Sequence, residues 1–280
     1  MPIRENSREK PGREKRGLAR ISAVRRKFVP VPAFPATRNV KLVIEFDGTD
    51  FAGWQRQPNG RTPQELIEKA IRLVTGEKVN LLASGRTDSG VHAAGIVANF
   101  MTRSEIPAPR LLAAINSKLP DDVVVLSAED VPLSFHATRD AAGKLYRYRI
   151  SRRAVRPALD RRCSWWVRGP LDVDAMRRAA AHFVGTRDFG SFRAESSIEK
   201  NTVRTIESIE FVESADALDV YFKGAGFLYM MIRIIVGTLV RVGKGRISPD
   251  AVPAMLAARD RKAAGPTAPP HGLCLMEVYY

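Results

Sequence analysis

Alternation of apolar and polar residues marks several short segments of the chain as half-buried strands. In "VKLVIEF" (40–46), every second residue from Val40 to Phe46 is apolar, so these side chains would share one face. Comparable segments predict further strands over 95–101, 122–128, 144–151, 203–212, 217–223 and 273–279. The chain therefore contains enough strands for a large sheet.

Helices are predicted where apolar residues recur every three to four positions between recognisable ends. In "RTPQELIEKAIRLVTG", Thr62 can cap the amino terminus, Pro63 suits the first helical position, and Gly76 can end the helix. Other helices are predicted over 108–118, over 172–184 and from about residue 227. Because helices and strands do not alternate regularly, we expect an α+β fold of mostly antiparallel sheet with helices on one side.

The charge of the chain is strongly positive, with a formal net charge of +15 over 280 residues, which implies an anionic partner such as nucleic acid or a membrane surface. Residues 1–38 hold eleven Lys or Arg and three Glu without a regular apolar period. They predict a flexible basic extension that rests on the phosphates of a nucleic acid, with an inert tail as the alternative. Two α+β domains are expected to follow, over 39–142 and 143–280.

Several classes of protein are disfavoured by what the sequence lacks. The most apolar segment (227–240) is too short to span a bilayer and contains Arg233, and the amino terminus is too charged for a secretory signal. The two cysteines form no CxxC motif and the four histidines show no ligand spacing, so neither a disulfide nor a metal site is expected. We expect a cytoplasmic protein that does not associate with membranes.

The polar loop "SGRTDSG" (84–90) follows an apolar strand and supports two interpretations. As a simple turn, it would use Gly85 and Gly90 for their free backbone φ, and its polar side chains would bond the local backbone. As a functional loop, it would present the carboxylate of Asp88 from a rigid strand end, as a catalytic carboxylate requires. The high content of charged residues favours the second interpretation.

The apolar helix predicted from about residue 227 contains a single charge, Arg233, among apolar and aromatic neighbours. A buried guanidinium costs several kcal/mol unless it is paired and hydrogen-bonded. The long side chain could instead reach the surface. If it stays buried, Asp88 is the expected partner.

Cations and aromatic residues are interleaved over residues 144–168, which hold nine Lys or Arg and one acid, Asp160. In the strand at 144–151, Tyr146 and Tyr148 share one face and the arginines share the other. Aromatic faces can stack on bases while cations hold phosphates, so this segment is a candidate nucleic-acid surface. The alternative is a strand with aromatic core residues and a solvated basic face.

As a set, the motifs resemble the TruA-type tRNA pseudouridine synthase family, from about residue 40 to residue 280. Ser89 and Ile232 stand where that family usually has Ala and Val, and the basic extension lies outside the family pattern. Six segments in the same order carry the resemblance: "FDGTDFAGWQRQP" (46–58), "SGRTDSGVHA" (84–93), "FHATRDAAGKLYRYRI" (135–150), "GTRDFGSFR" (185–193), "GFLYMMIRIIVGTL" (226–239) and "AGPTAPPHGLCLMEVYY" (264–280).

The resemblance implies a pseudouridine synthase fold, in which two sheets meet at a central catalytic cleft. It implies an isomerase that detaches uracil from ribose, rotates it and rejoins it through carbon, without cofactor or metal. Asp88 would be the catalytic residue, as nucleophile or as base, and Arg233 would hold it charged and oriented. Tyr146 would lie against the target base, and Arg86 would contact the RNA backbone or the flipped-out nucleotide.

The family acts as homodimers on the anticodon stem-loop of tRNA, at tRNA positions 38–40, and the resemblance implies the same here. Two rival functions remain: an RNA-binding module or tRNA chaperone without catalysis, and a modifier of ribosomal or messenger RNA with the same chemistry. The presence of Asp88 together with Arg233 and Tyr146 favours an enzyme over a chaperone. No linear motif encodes the choice of RNA.

Overall fold

Ten strands join in one sheet, and their order explains how distant segments of the chain meet. The structure, a computed structural model, describes residues 36–280, so the predicted basic extension lies almost entirely outside the described residues. The sheet order is β4-β1-β3-β10-β5-β9-β8-β7, with β2 beside β3 and β6 beside β5. The strands are β1 (Arg38–Phe46), β2 (Leu82–Ala83), β3 (His92–Thr102), β4 (Val123–Val131), β5 (Gly143–Ser151), β6 (Trp165–Trp166), β7 (Gly185–Asp188), β8 (Val203–Glu213), β9 (Ala217–Gly224) and β10 (Leu273–Tyr279).

Most neighbouring strands are antiparallel. The exceptions are two short parallel pairs, β3 with β10 and β5 with β6. Every other pair in the sheet runs antiparallel. The predicted α+β class with a mostly antiparallel sheet is therefore confirmed.

The last strand of the chain, β10, joins the two halves of the molecule. It pairs with β3 of the first half at Cys274 and Leu275, and with β5 of the second half along its length from Leu273 to Tyr279. Residues 36–280 consequently belong to one compact unit. The division into domains at 39–142 and 143–280 stays a prediction.

Five helices accompany the sheet: α1 (Pro63–Thr75), α2 (Ala108–Asn116), α3 (Val173–Ala181), α4 (Met231–Gly243) and α5 (Val252–Ala258). The predicted ends of α1 are confirmed, because the Glu65 amide donates to Thr62 Oγ1 at 3.4 Å and Gly76 adopts a left-handed φ of 76°. Helix α1 packs against α2, and α3 packs against α4. None of the five has the length and apolar character that a bilayer crossing needs in the described part of the chain.

Two predicted helix bounds were wrong. Helix α4 begins at Met231 and not near residue 227, because Met230 takes a left-handed φ of 61° that a continuing helix cannot accommodate. Helix α3 ends at Ala181, and the chain after it turns into β7. Strands β6 and β7 and helix α5 were not predicted, since elements of two to seven residues carry too little periodicity.

Candidate active site

The polar loop at 84–90, called the Asp88 loop below, connects β2 to β3. Gly90 takes a left-handed φ of 77°, which a turn at this position requires. The prediction of the same freedom for Gly85 was wrong, because its φ lies outside that region. A Cβ on Gly85 would instead lie 2.7 Å from Nζ of Lys144, so this glycine leaves room for a neighbouring side chain.

The segment 51–54 holds the Asp88 loop in place from the side. The Trp54 amide donates to the Thr87 carbonyl at 3.2 Å, and the Gly90 amide donates to the Phe51 carbonyl at 3.2 Å. Gly53 has a φ of 102°, and a Cβ there would lie 2.8 Å from the Thr87 carbonyl oxygen. These backbone contacts make the loop a rigid support, and the motif "FAGW" (51–54) supplies them.

Arg233, on helix α4, meets the Asp88 loop as the buried-charge argument predicted. Its Nη1 donates to Oδ2 of Asp88 at 3.0 Å, and its Nε donates to the Ala268 carbonyl at 2.8 Å. Only 10% of the Arg233 side chain and 15% of the Asp88 side chain are exposed. The surface alternative for Arg233 is therefore excluded, and the two side chains form a buried ion pair.

A glycine in the middle of α4 makes this orientation of Arg233 possible. A Cβ on Gly237 would lie 1.7 Å from the Pro266 carbonyl oxygen, so only glycine lets the 264–268 segment pack directly on the helix. That packing brings Ala268 close to Arg233. The Ala268 amide also donates a hydrogen bond to the Arg233 carbonyl at 3.0 Å. Sequence reasoning missed Gly237 and Ala268, although a glycine inside the apolar run "IIVGTLV" is a recognisable signal of close approach.

Tyr146, on β5, approaches the same carboxylate from the other half of the sheet. Its ring is 8% exposed and packs edge-on against Phe227, with ring centroids 5.3 Å apart. Burial, and secondarily the charge of Asp88, raise the pKa of the Tyr146 phenol, so it stays protonated. Tyr148 is instead a core residue, as the alternative interpretation of this strand predicted. It is fully buried, and its hydroxyl donates to the Pro269 carbonyl at 2.8 Å.

The electrostatics of Asp88 differ from the expectation that Arg233 simply holds it charged. Burial raises the pKa of the Asp88 carboxyl, while the hydrogen bond and charge of Arg233 lower it, and burial is the larger effect. The resulting carboxylate is more basic than one in water. Such a group is better suited to attack carbon or to accept a proton than an exposed aspartate.

These side chains line a cleft of about 700 Å³, which is a usual size for a site that takes a small ligand. Asp88 and Tyr146 contribute to its wall, together with the exposed Arg86 and with Lys144, which sequence reasoning did not single out. Arg233 does not line the cleft itself, but its side chain donates a hydrogen bond to Asp88 in the cleft wall. No group of three or more potential metal ligands occurs within residues 36–280, and the thiols of Cys163 and Cys274 are free.

Fold and site together define the class of protein: an α+β enzyme scaffold with one buried, arginine-paired carboxylate facing a cleft. Residues 42–139 and 179–280 match the sequence family described as tRNA pseudouridine synthase. The chain belongs to this family. The resemblance proposed from the sequence motifs and the pseudouridine synthase fold are thereby confirmed.

Similar proteins cover nearly the whole described chain. The tRNA pseudouridine synthase A of Geotalea daltonii is 46% identical over 243 residues, covering 87% of this chain and 100% of that protein. The protein of the same name from Acetivibrio thermocellus is 49% identical, with the same coverage of 87% and 100%. A solved archaeal box H/ACA sRNP Nop10-Cbf5 complex matches 70% of this chain and 44% of that chain, at 16% identity and a TM-score of 0.33, which is too low to support an argument.

Proposed function

We propose that this protein isomerises uridine to pseudouridine in the anticodon stem-loop of tRNA, at tRNA positions 38–40. The observation that carries the proposal is the carboxylate of Asp88, buried in the cleft wall and bonded to Arg233 at 3.0 Å. Membership of the tRNA pseudouridine synthase family supports the reaction and the class of RNA. The choice of stem-loop rests on the resemblance to the TruA-type members.

The reaction conserves the atoms of the nucleotide and needs only acid–base and nucleophilic chemistry. The bond from C1′ of the ribose to N1 of uracil breaks, the base rotates, and C1′ bonds to C5. The proton on C5 is then lost, and N1 carries a proton in the product. Asp88 acts in the first stage, either as a nucleophile or as a base toward the sugar, and both roles require its ionised form.

The remaining site residues bind and orient the nucleotide in this proposal. A base inside a stem cannot reach Asp88, so the target uridine must leave the stack and enter the cleft. Tyr146 packs against the base that enters, and the exposed Arg86 contacts the RNA backbone beside it. Arg233 acts as a positioning residue, because it bonds to Asp88 and does not line the cleft that the nucleotide enters.

The proposal includes a homodimer in the cytoplasm, where mature tRNA is abundant. Both parts rest on the family resemblance alone. The molar mass of the purified protein in solution tests the first part, since a dimer would have twice the chain mass of 31.0 kDa.

Pseudouridine mapping on defined RNA tests the function directly. The purified protein should convert uridines at positions 38–40 of a tRNA transcript, and it should leave a transcript with cytidines at those positions unmodified. Conversion of ribosomal or messenger fragments in preference to tRNA would favour the rival modifier. Binding of tRNA without any product would favour the chaperone.

A further inference from the structure

Lys144 is the one cation in the cleft wall, within the described residues, that is desolvated and still without a counter-ion. It lies on β5 two positions before Tyr146, and both side chains therefore leave the sheet on the same face. Its Nζ lies against the Asp88 loop, close enough that a Cβ on Gly85 would be 2.7 Å away. The ammonium therefore lies against the Asp88 loop, in the wall of the cleft that Tyr146 also lines.

The surroundings of Lys144 supply no partner for its charge. Its neighbours across the sheet are Gly224 in β9 and Val278 in β10, which have no polar side chains. Among the described residues 36–280, no hydrogen bond or charged partner acts on the Lys144 ammonium. Burial lowers the pKa of the ammonium, which is the effect of desolvation without a compensating anion.

The carboxylates of the cleft wall are already engaged elsewhere. Asp88 is bonded to Arg233 at 3.0 Å, and Glu199 lies 3.9 Å from Arg204. An unpaired, partly desolvated ammonium is unfavourable in the free protein. An anionic group on a molecule that enters the cleft would supply the missing partner.

We propose that Lys144 binds a backbone phosphate of the RNA next to the reacting nucleotide. Phosphate is the anion that every RNA carries, and lysine binds it as a point charge without demanding one orientation. The contact would fix the ribose beside Asp88, since the phosphate and the sugar are covalently joined. This inference rests on the proposed function for the identity of the RNA, and it singles out Lys144 among the cations of residues 144–168.

Replacement of Lys144 by methionine separates this role from a structural one. Lys144→Met keeps the length of the side chain and removes the charge, so tRNA affinity should fall about tenfold. The slope of log affinity against log salt should flatten by about 0.7–0.9, the value for one phosphate contact. The melting temperature of the free protein should not fall, because an unpaired desolvated charge has been removed.

The control is Lys118→Met, at an exposed lysine outside the cleft wall, which removes the same net charge. It should leave the slope within error of the wild-type value. An unchanged slope in Lys144→Met, an equal flattening in Lys118→Met, or a lower melting temperature in Lys144→Met would each overturn the proposal. Failure of the unaltered protein to bind tRNA would instead contradict the proposed function.

Discussion

Two segments of similar local sequence place an aspartate between glycines, and the molecule uses them differently. "GRTDSG" (85–90) carries Asp88, and "GTRDFG" (185–190) carries Asp188. Asp188 accepts hydrogen bonds from Thr202 Oγ1 and from the Gly190 amide, and it pairs with Arg259 at 2.7 Å. Within residues 36–280, the carboxylate of Asp88 accepts only the bond from Arg233.

The pKa values of the two carboxyls shift in opposite directions for this reason. The hydrogen bond from Thr202, with help from the Gly190 amide and nearby arginines, lowers the pKa of Asp188. Burial raises the pKa of Asp88 in spite of Arg233. A carboxylate with three partners stabilises a loop, whereas one with a single partner keeps lone pairs free for a substrate. The comparison therefore contrasts a carboxylate whose bonds lie within the fold with one that keeps lone pairs free at the cleft.

Replacement of each aspartate by asparagine should give the largest difference in activity and stability between the two positions. Asp88→Asn should abolish pseudouridine formation and leave tRNA binding largely intact, because Glu199, the other carboxylate of the cleft wall in the described residues, is half exposed and lies beside Arg204. Asp188→Asn should keep most activity and lose about 1 kcal/mol of stability, through weaker contacts to a partly exposed group. Product formation, tRNA binding and thermal unfolding of both variants provide the test. Substantial turnover by Asp88→Asn would show that another group performs the chemistry.

Truncation of the two arginine partners should give the next largest difference. Arg233→Ala leaves a buried carboxylate uncompensated, so we expect a loss of about 3–5 kcal/mol together with activity. Arg259 is largely exposed, so Arg259→Ala should cost less than about 1 kcal/mol. Arg233→Lys keeps the charge without the planar guanidinium and should retain the fold better than the activity. Equal unfolding free energies for the two alanine variants, measured in denaturant, would refute the buried pair.

The smallest expected difference between the two aspartates lies in pH dependence, of activity for Asp88 and of stability for Asp188. Because the pKa of Asp88 is raised and the reaction needs its ionised form, kcat/KM should fall on acidification at a higher pH than for an ordinary aspartate. Because the pKa of Asp188 is lowered, its contribution to stability should persist until pH falls through that lower value. Arg233→Lys keeps the charge but weakens the hydrogen bond that lowers the pKa of Asp88, so it should move the acid limb of activity upward. An acid limb that is unaffected by Arg233→Lys would argue against Asp88 as the titrating group.

Local signals predicted much of the fold and part of the site. Thr62, Pro63 and Gly76 define the ends of α1, because capping depends on residues close together in the chain. The start of α4 was missed, because methionine by itself does not favour the left-handed conformation that Met230 adopts, so the local sequence gives no signal of it. Likewise the role of Gly85 depends on Lys144, which is distant in sequence and adjacent in space.

The sequence by itself determined most of the elements, the candidate carboxylate and the need of Arg233 for an anion, because periodicity, turn chemistry and the cost of burying charge are local properties. Only the tertiary structure decided that Asp88 meets Tyr146. Insertion of β10 between β3 and β5 brings those two halves together, and no short-range signal specifies the neighbours of a strand. The tertiary structure also decided that Asp88 is desolvated and that the carboxylate of Asp188 has hydrogen-bond and charge partners. The burial and partners of a carboxylate depend on residues far away along the chain.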